Sequence, residues 1–472
     1  MTLSESLDNQ ELTRFRRKVT ALSSAGMFLD GFDLTVIAVA LPLLEKQWHI
    51  SGWVVGLTSS SALIGMFVGA VVLGRLTDKI GRRKVYAFDL ILFIVFAGLA
   101  ALSQNPAELI AFRFLLGIAV GADYPISTSL TSEFSATHSR GRHLAYMSSF
   151  YSAGAMVAYL MGIVFGGLGD SSWRWMLLFG ALLALIVALM RQSVPESPRW
   201  LTSQGRTGEA AEVLGGLVGS APRIEAADEG GADPSAAGGA KPSARASLLS
   251  RQYLRATVFV CAFFFLFDVV FYGIQLYTPT VLSGITGSSD KLASVGSACV
   301  SAVGMLGIFA GSLLIDRWGR RPLVILGLAC QAVLLTILAL VASPPFAVVV
   351  LIFAAGLFSA NIGPGVMILL YPGELFPTPL RGAGVGVSVA AGRIGAVLGV
   401  LVFPHMIESL GLQHSLWMFV AVGVAAVVLS VFMAPETKGK LLEEIADEYA
   451  QEAPAPGRAA DPARAGRGTA GP

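Results

Sequence analysis

The chain has 472 residues, of which 54% are hydrophobic and only 14% are charged. Soluble domains carry about 25% charged residues, so a globule of this length would lack the polar surface that water requires. The shortage indicates that lipid covers much of the molecule. The formal net charge of +2 gives no reason to expect a nucleic acid partner. The three cysteines lie in apolar runs and form neither a disulfide framework nor a metal-ligand pattern, so no metal or cofactor is expected.

Twelve apolar stretches follow one another along the chain. A spanning helix needs about 20 mostly apolar residues, and backbone groups in lipid must bond internally, so these stretches are predicted to be helices. The first lacks a small-residue cleavage site and is therefore predicted to be a span rather than a leader peptide. The predicted spans are 20–44, 52–76, 85–103, 107–131, 142–168, 173–191, 254–283, 290–315, 321–342, 345–370, 380–407 and 413–433.

Basic residues concentrate in alternate loops between these spans. The positive-inside rule places those loops, and with them both termini, on the cytoplasmic side of the cell membrane. An Ala/Gly/Ser-rich stretch at about 202–250 predicts a linker, and the Ala/Pro/Gly/Arg-rich end predicts a disordered tail. The predicted segments are a cytoplasmic N-terminal segment 1–19, a six-helix bundle 20–191, a cytoplasmic linker 192–253, a second six-helix bundle 254–433 and a cytoplasmic tail 434–472.

Three charged motifs of the first half recur in the second half. The matched pairs are 78–83 with 316–321, 133–140 with 374–381 and 195–197 with 435–437, which lie 238, 241 and 240 residues apart. A recurrence at nearly one spacing indicates a duplicated six-helix unit. In transporters that are built from such repeats, the two halves pack around a central substrate site and rock about it.

The same motifs carry a family resemblance. The loop Gly74-x-x-x-Asp78-x-x-Gly81-Arg82-Arg83 resembles the signature loop of the major facilitator superfamily. The segments 113–117, 195–200 and 435–439 resemble its sugar-porter and metabolite:proton symporter branch. The resemblance covers roughly 18–445. It implies an all-α membrane protein of twelve transmembrane helices, folded as two pseudo-repeated six-helix bundles, that transports a solute by alternating access.

The matched motifs predict a gating set at the cytoplasmic helix ends. Acidic and basic members, such as Glu374 with Arg381, would pair in the outward-open state and separate in the inward-open state. The alternative is that the basic loops only fix the orientation. The set consists of Gly74, Asp78, Gly81, Arg82, Arg83, Glu133, Arg140, Asp316, Gly319, Arg320, Arg321, Glu374 and Arg381.

Charged residues inside the predicted spans are the sharper functional signal. A charge at mid-bilayer costs at least about 2.5–3.5 kcal/mol, so each needs a reason. A carboxylate in a low-dielectric cavity can gain and lose a proton near neutral pH, and an arginine can pair with it or with an anionic substrate. A structural ion pair is the alternative for each residue. The charges are Asp30, Asp33, Asp89, Arg113, Asp123, Asp268 and Arg393.

Two stretches resemble particular subfamilies. Gly121-Ala-Asp123-Tyr124-Pro125 and Phe267-Asp268-x-x-x-Tyr272 resemble phosphate:proton symporters, in which the acids and tyrosines would line the substrate site. Phe264 stands where that family has a tryptophan. The first span around Asp30 and Asp33 is instead similar to bacterial importers of aromatic and other organic acids.

The tenth span contributes two further features. Asn361 is an isolated polar group that is predicted to donate a hydrogen bond in the cavity. Gly363, Pro364 and Gly365 predict a kink in the same helix.

The predicted function is proton-coupled symport of a small organic anion by a monomer embedded in the lipid bilayer. The alternative is an exporter that exchanges a drug or metabolite for protons. No nucleophile–base pair or phosphate-binding loop favours an enzyme. The predicted substrate and proton site consists of Asp30, Asp33, Arg113, Asp123, Tyr124, Asp268, Tyr272, Asn361 and Arg393.

Overall fold

A computed structural model describes residues 13–80, 82–134, 140–191, 196, 201–202, 204–218, 248–341, 344–376 and 378–438. All regular secondary structure in these residues is helical. The helices are α1 (Thr13–Trp48), α2 (Gly52–Ile80), α3 (Arg82–Leu102), α4 (Pro106–Phe134), α5 (Arg140–Phe165), α6 (Ser172–Arg191), α7 (Thr207–Val218), α8 (Arg251–Thr286), α9 (Asp290–Trp318), α10 (Arg320–Leu340), α11 (Phe346–Ile362), α12 (Pro364–Leu375), α13 (Thr378–Leu410) and α14 (Leu412–Met433).

The helices account for the twelve predicted spans. Ten stretches within the described residues are long and apolar enough to cross a membrane, with α11 and α12 together forming one of them. The third span, α3, contains the shorter apolar helix Ala87–Leu102, and the fourth, α4, carries the charges Arg113 and Asp123. Large apolar side chains such as Phe432 and Leu313 are 75% and 73% exposed, which suits contact with lipid rather than water.

The two bundles, α1–α6 and α8–α14, pair their helices in the same way. In the first bundle α1 packs on α5, α2 on α4 and α3 on α6. In the second bundle α8 packs on α13, α9 on α11 and α10 on α14, which are the positions that the repeat predicts. The bundles meet where α2 contacts α13 and where α5 contacts α9. In the repeat α2 corresponds to α9 and α5 to α13, so these two contacts are equivalent.

One glycine in each bundle lets two helices approach closely. A Cβ at Gly154 of α5 would lie 2.0 Å from the carbonyl oxygen of Phe28 on α1. A Cβ at Gly395 of α13 would lie 2.2 Å from the carbonyl oxygen of Phe265 on α8. The two glycines are 241 residues apart, the spacing of one of the repeated motifs. Close backbone contact of this kind stabilises helix pairs in membranes, where the hydrophobic effect contributes little.

Two departures from straight helical spans are local. The tenth span breaks at Gly363, and α12 restarts at Pro364, whose missing N–H costs nothing in a first helical turn. The predicted kink is therefore confirmed. The helix α7 lies in the stretch that composition assigned to a linker, and Arg206 pairs with Glu209 at its start at 2.6 Å. The high alanine and glycine content hid this helix in the sequence.

The bundles touch at the end remote from the repeated basic motifs. A Cβ at Gly56 of α2 would lie 2.2 Å from the carbonyl oxygen of Leu401 on α13. The rings of Trp53 and His405 stack with centroids 4.5 Å apart. The backbone N–H of Gly52 donates to Glu408 Oε2 at 2.9 Å. These contacts close the space between the bundles at this end.

The close approach of α1 and α5 gives the first prediction. Gly154→Ala places a methyl group against backbone atoms that cannot move aside, so we expect a loss of about 1–3 kcal/mol or more in stability. The measurement is the apparent melting temperature of the detergent-purified protein. The control is Gly98→Ala in α3, where an added Cβ meets nothing within 4 Å. Equal melting temperatures for the two variants would contradict the packing described here.

Candidate functional site

A cavity of about 150 Å³ lies between the two bundles. Helices α1 and α5 line it from the first bundle, and α8, α9, α11, α12 and α13 line it from the second. Its wall is largely apolar, with a few polar and charged groups. The lining residues are Met27, Ser148, Tyr151, Ser152, Phe264, Phe267, Asp268, Phe271, Tyr272, Ile308, Asn361, Gly365, Val366, Ile368, Val389 and Arg393. A mostly apolar cavity with a few convergent polar groups is typical of a small-molecule site.

The second bundle contributes one cation and one anion to this cavity. Arg393 donates from Nη1 to the hydroxyl of Tyr272 at 2.8 Å, and its guanidinium carbon lies 5.5 Å from the centre of that ring. Asp268 is buried beside Gly392, where a Cβ would lie 2.6 Å from Asp268 Oδ2. Asp268 makes no hydrogen bond or salt bridge with any residue that the structure describes. The two charges therefore share the cavity without forming a salt bridge.

An amide and a row of phenylalanines form another part of the cavity wall. Asn361 lines the cavity, but its Nδ2 donates to the carbonyl oxygen of Gly304 on α9 at 2.9 Å. Its predicted role as a donor in the cavity is therefore modified, because this contact anchors the amide. Phe267 and Phe271 stack one turn apart on α8 with ring centroids 5.3 Å apart, and they offer a flat apolar surface.

In the first bundle, Asp33 of α1 faces Arg113 of α4. Arg113 Nη2 lies 3.6 Å from Asp33 Oδ2 and donates to the Asp33 carbonyl oxygen at 3.2 Å. Arg113 Nε and Nη1 and Asp33 Oδ2 are buried and have no hydrogen-bond partner among the described residues. The pair is therefore only partly satisfied. The sequence singled out both residues as intramembrane charges, and the structure shows that they pair.

A second charged group in the first bundle includes a residue that the sequence analysis missed. Arg191, at the end of α6, donates to both carboxylate oxygens of Asp123 at 2.7 and 3.0 Å. Asp123, Asp30 and Asp89 line one void of only about 10 Å³. Asp89 Oδ2 is buried without a hydrogen-bond partner in the described part of the chain. The group thus holds three carboxylates and one guanidinium.

The structure separates the predicted site residues into three places. Asp268, Tyr272, Asn361 and Arg393 line the central cavity. Asp33 and Arg113 form one pair, while Asp30 and Asp123 belong to the void beside α3 and α6. The side chain of Tyr124 lies outside those that the structure describes. Tyr151, which was not among the predicted site residues, also lines the cavity from α5.

The repeated motif of the second half forms a compact polar cluster. Arg320 lies 3.2 Å from Asp316 and 3.3 Å from Glu374, and Thr437 also donates to Glu374. Glu436 accepts hydrogen bonds from the first two backbone N–H groups of α10, at 3.0 and 3.1 Å. A carboxylate is favourable there because the helix N-terminus is positive.

Gly319 makes the approach of Glu436 possible. Its φ of +93° favours glycine, and a Cβ would lie 2.6 Å from Glu436 Oε2. The structure does not describe Gly81 or the surroundings of Gly74. It also does not describe the side chains of Asp78, Arg82, Arg83, Glu133, Arg140 and Arg381. The predicted gating role of these residues stays a prediction, and the described partners of Glu374 are Arg320 and Thr437.

Comparisons with known proteins agree with this architecture. The family model described as "Sugar (and other) transporter" matches residues 18–449. The "Putative metabolite transport protein YaaU" of Escherichia coli (strain K12) is 32% identical over 446 residues, which cover 94% of this chain and 97% of that protein. The "Inner membrane metabolite transport protein YgcS" of the same organism is 31% identical, with coverages of 92% and 94%. These relatives are transport proteins rather than enzymes.

A solved structure gives the same fold. The proton:xylose symporter XylE, bound to 6-bromo-6-deoxy-D-glucose, superposes with a TM-score of 0.71. The match covers 93% of this chain and 99% of XylE at 22% sequence identity, so it supports the fold alone.

The Asp123–Arg191 pair gives the second prediction. Arg191→Gln leaves a buried carboxylate without its cation, so we expect a loss of about 3–5 kcal/mol in stability. The double variant Asp123→Asn/Arg191→Gln removes both charges and should recover most of that loss. Melting temperatures of the wild type, both single variants and the double variant complete the thermodynamic cycle. Additive losses in the double variant would show that the two charges do not stabilise each other.

Proposed function

The chain belongs to the Sugar (and other) transporter family, and from that premise we propose that it is a proton-coupled symporter of a small organic anion. The observation that carries the proposal is Arg393. This guanidinium is buried in a largely apolar cavity, bonds to the neutral hydroxyl of Tyr272, and makes no salt bridge with a described residue. A buried cation of this kind is a strong site for a carboxylate, because pairing removes an uncompensated charge.

Asp268 links anion binding to proton binding. It lies in the same cavity as Arg393 without a salt bridge to it. When Asp268 carries a proton, the cavity holds one net positive charge, which an anionic substrate neutralises. Loading a proton and an anion together therefore leaves the cavity uncharged, whereas loading either alone does not. Moving an uncharged cavity across the low-dielectric part of the membrane is the less costly event.

The first bundle offers a second place for coupling. The Asp33–Arg113 pair spans α1 and α4, and several of its polar atoms lack partners among the described residues. A proton on Asp33 would weaken the link between these helices, so proton loading and helix packing are connected. The structural neighbour named a proton:xylose symporter has the same fold, and the residues above are the support for coupling in this chain.

The size of the cavity limits the substrate. A cavity of about 150 Å³ lined by apolar side chains has the capacity for one benzene ring. The substrate class that fits is a carboxylate whose apolar body is no larger than a single ring, packed against Phe264, Phe267 and Phe271. A drug-sized cation would meet Arg393 as a like charge.

The anion site gives the third prediction. Wild-type protein in proteoliposomes with an alkaline interior should accumulate benzoate or nicotinate, but not phosphate, a hexose or a cationic dye. Arg393→Gln should reduce that uptake about 30-fold or more, because losing one partner of a buried charge contact costs about 2–5 kcal/mol. The matched control is Arg174→Gln, where the lost contacts are with the carbonyl oxygen of Ala101 and the ring of Trp173, both outside the cavity. Transport of the dye alone, in exchange for protons, would replace symport with export.

The Asp33–Arg113 pair gives the fourth prediction. Asp33→Asn preserves shape but cannot release a proton, so gradient-driven accumulation should be lost while exchange of labelled for unlabelled anion continues. The measurement compares accumulation with counterflow in the same vesicles. Asp290→Asn, at the exposed start of α9, serves as the control and should behave as wild type. Accumulation by Asp33→Asn at the wild-type level would remove Asp33 from the coupling mechanism.

A further inference from the structure

Tyr151 of α5 is a polar group in the central cavity that none of the preceding roles employs. Its side chain lines the cavity from the first bundle, whereas Tyr272 and Arg393 line it from the second. The Tyr151 hydroxyl oxygen is buried and has no hydrogen-bond partner among the described residues. A buried hydroxyl normally finds a partner, so an orphaned one requires an explanation.

The surroundings of this hydroxyl indicate what would satisfy it. Tyr151 of the first bundle lines the cavity together with Tyr272 and Arg393 of the second. Tyr272 accepts a hydrogen bond from Arg393, so its own proton can be donated to the Tyr151 hydroxyl or to a ligand. Two phenol donors and one guanidinium therefore face one another across the interface. A carboxylate, which only accepts hydrogen bonds and has two oxygens, matches this set of donors.

The backbone holds Tyr151 at this position. A Cβ at Gly31 of α1 would lie 2.0 Å from the carbonyl oxygen of Tyr151, so α1 and α5 are in backbone contact at that residue. One turn further along α5, Gly154 makes the same kind of contact with Phe28. The tyrosine is thus mounted on a rigid helix pair of the first bundle, and it would move with that bundle during rocking.

We infer that Tyr151 is a substrate-binding and specificity residue, whose hydroxyl donates to the same carboxylate that Arg393 and Tyr272 bind, so that the bound anion joins the two bundles. The inference rests on the proposed transport of an organic anion and adds the residue through which the first bundle contacts it. A carboxylate bound to all three donors would therefore link the inner faces of the two bundles. A neutral analogue of the same shape would lack the charge that draws these donors together.

The test is binding of benzoate, nicotinate and phosphate to the full chain in lipid nanodiscs by calorimetry, followed by uptake of the tightest-binding anion. Tyr151→Phe should raise Kd and KM about tenfold, because hydrogen bonds to charged groups are the stronger class, while the maximal rate changes less than about twofold. Tyr146→Phe, an exposed tyrosine on the same helix, is the matched control. Unchanged melting temperatures of both variants separate a binding role from a structural one.

Each outcome decides one question. If no anion binds or accumulates in the wild type, the proposed function fails. If an anion is transported and Tyr151→Phe matches Tyr146→Phe in Kd and KM, the function stands and the role of Tyr151 is overturned. If Tyr151→Phe lowers the melting temperature and the maximal rate but leaves Kd unchanged, Tyr151 is a structural residue. Benzamide, tested beside benzoate as the neutral analogue, should bind at least tenfold more weakly to the wild type, and equal binding would overturn carboxylate recognition.

Discussion

Compensation of charge in an apolar interior is the constraint on which the rest of this structure depends. A charge inside the membrane must be neutralised by a partner, a proton or a ligand. The first bundle neutralises Asp123 with Arg191 through two short hydrogen bonds. Asp30 and Asp89 line the same void as Asp123, so three carboxylates share it. The second bundle leaves both a cation and an acid facing the central cavity. These two charges, Asp268 and Arg393, are the ones that a proton and an anionic substrate could neutralise.

The repeat explains why the uncompensated groups meet at the interface. Each bundle pairs its helices in the same order, and each uses a glycine, Gly154 or Gly395, to hold one cavity-lining helix against another. The same duplication has diverged in chemistry. Asp30 of α1 lines the small void within the first bundle, whereas Asp268, which lies 238 residues later on α8, lines the central cavity. The duplicated scaffold therefore positions two different kinds of site, one buried within the first bundle and one shared between the bundles.

How far the sequence could predict this arrangement depends on the range of the interaction. Span length and hydropathy are local properties, and they predicted the twelve helices, while Gly363, Pro364 and Gly365 predicted the break in the tenth span. The cost of burying charge singled out Asp33, Arg113, Asp268 and Arg393 without any knowledge of packing, but it did not say which of them pair. Arg191 escaped because a basic residue at the end of a span is indistinguishable from an orientation signal until its partner is known. Tyr151 escaped because its significance lies in what its hydroxyl lacks, and only tertiary packing reveals that.

The two ends of the molecule are held by contacts of different kinds, and this difference bears on how the bundles can move. The described contacts around Arg320, Glu374 and Glu436 join helices of the second bundle to one another, so they stabilise that bundle as a rigid body. At the opposite end, the contacts cross between bundles and include the Trp53–His405 ring stack, the hydrogen bond to Glu408, the buried hydrogen bond from Tyr159 to the carbonyl oxygen of Gln275, and close backbone packing. Exposed contacts of this size are individually weak. A substrate that bonds to donors from both bundles, as proposed above, would offset part of the free energy lost when rocking breaks these contacts. Binding energy at the centre can therefore be exchanged for contacts at the closed end, which is the energetic condition for alternating access.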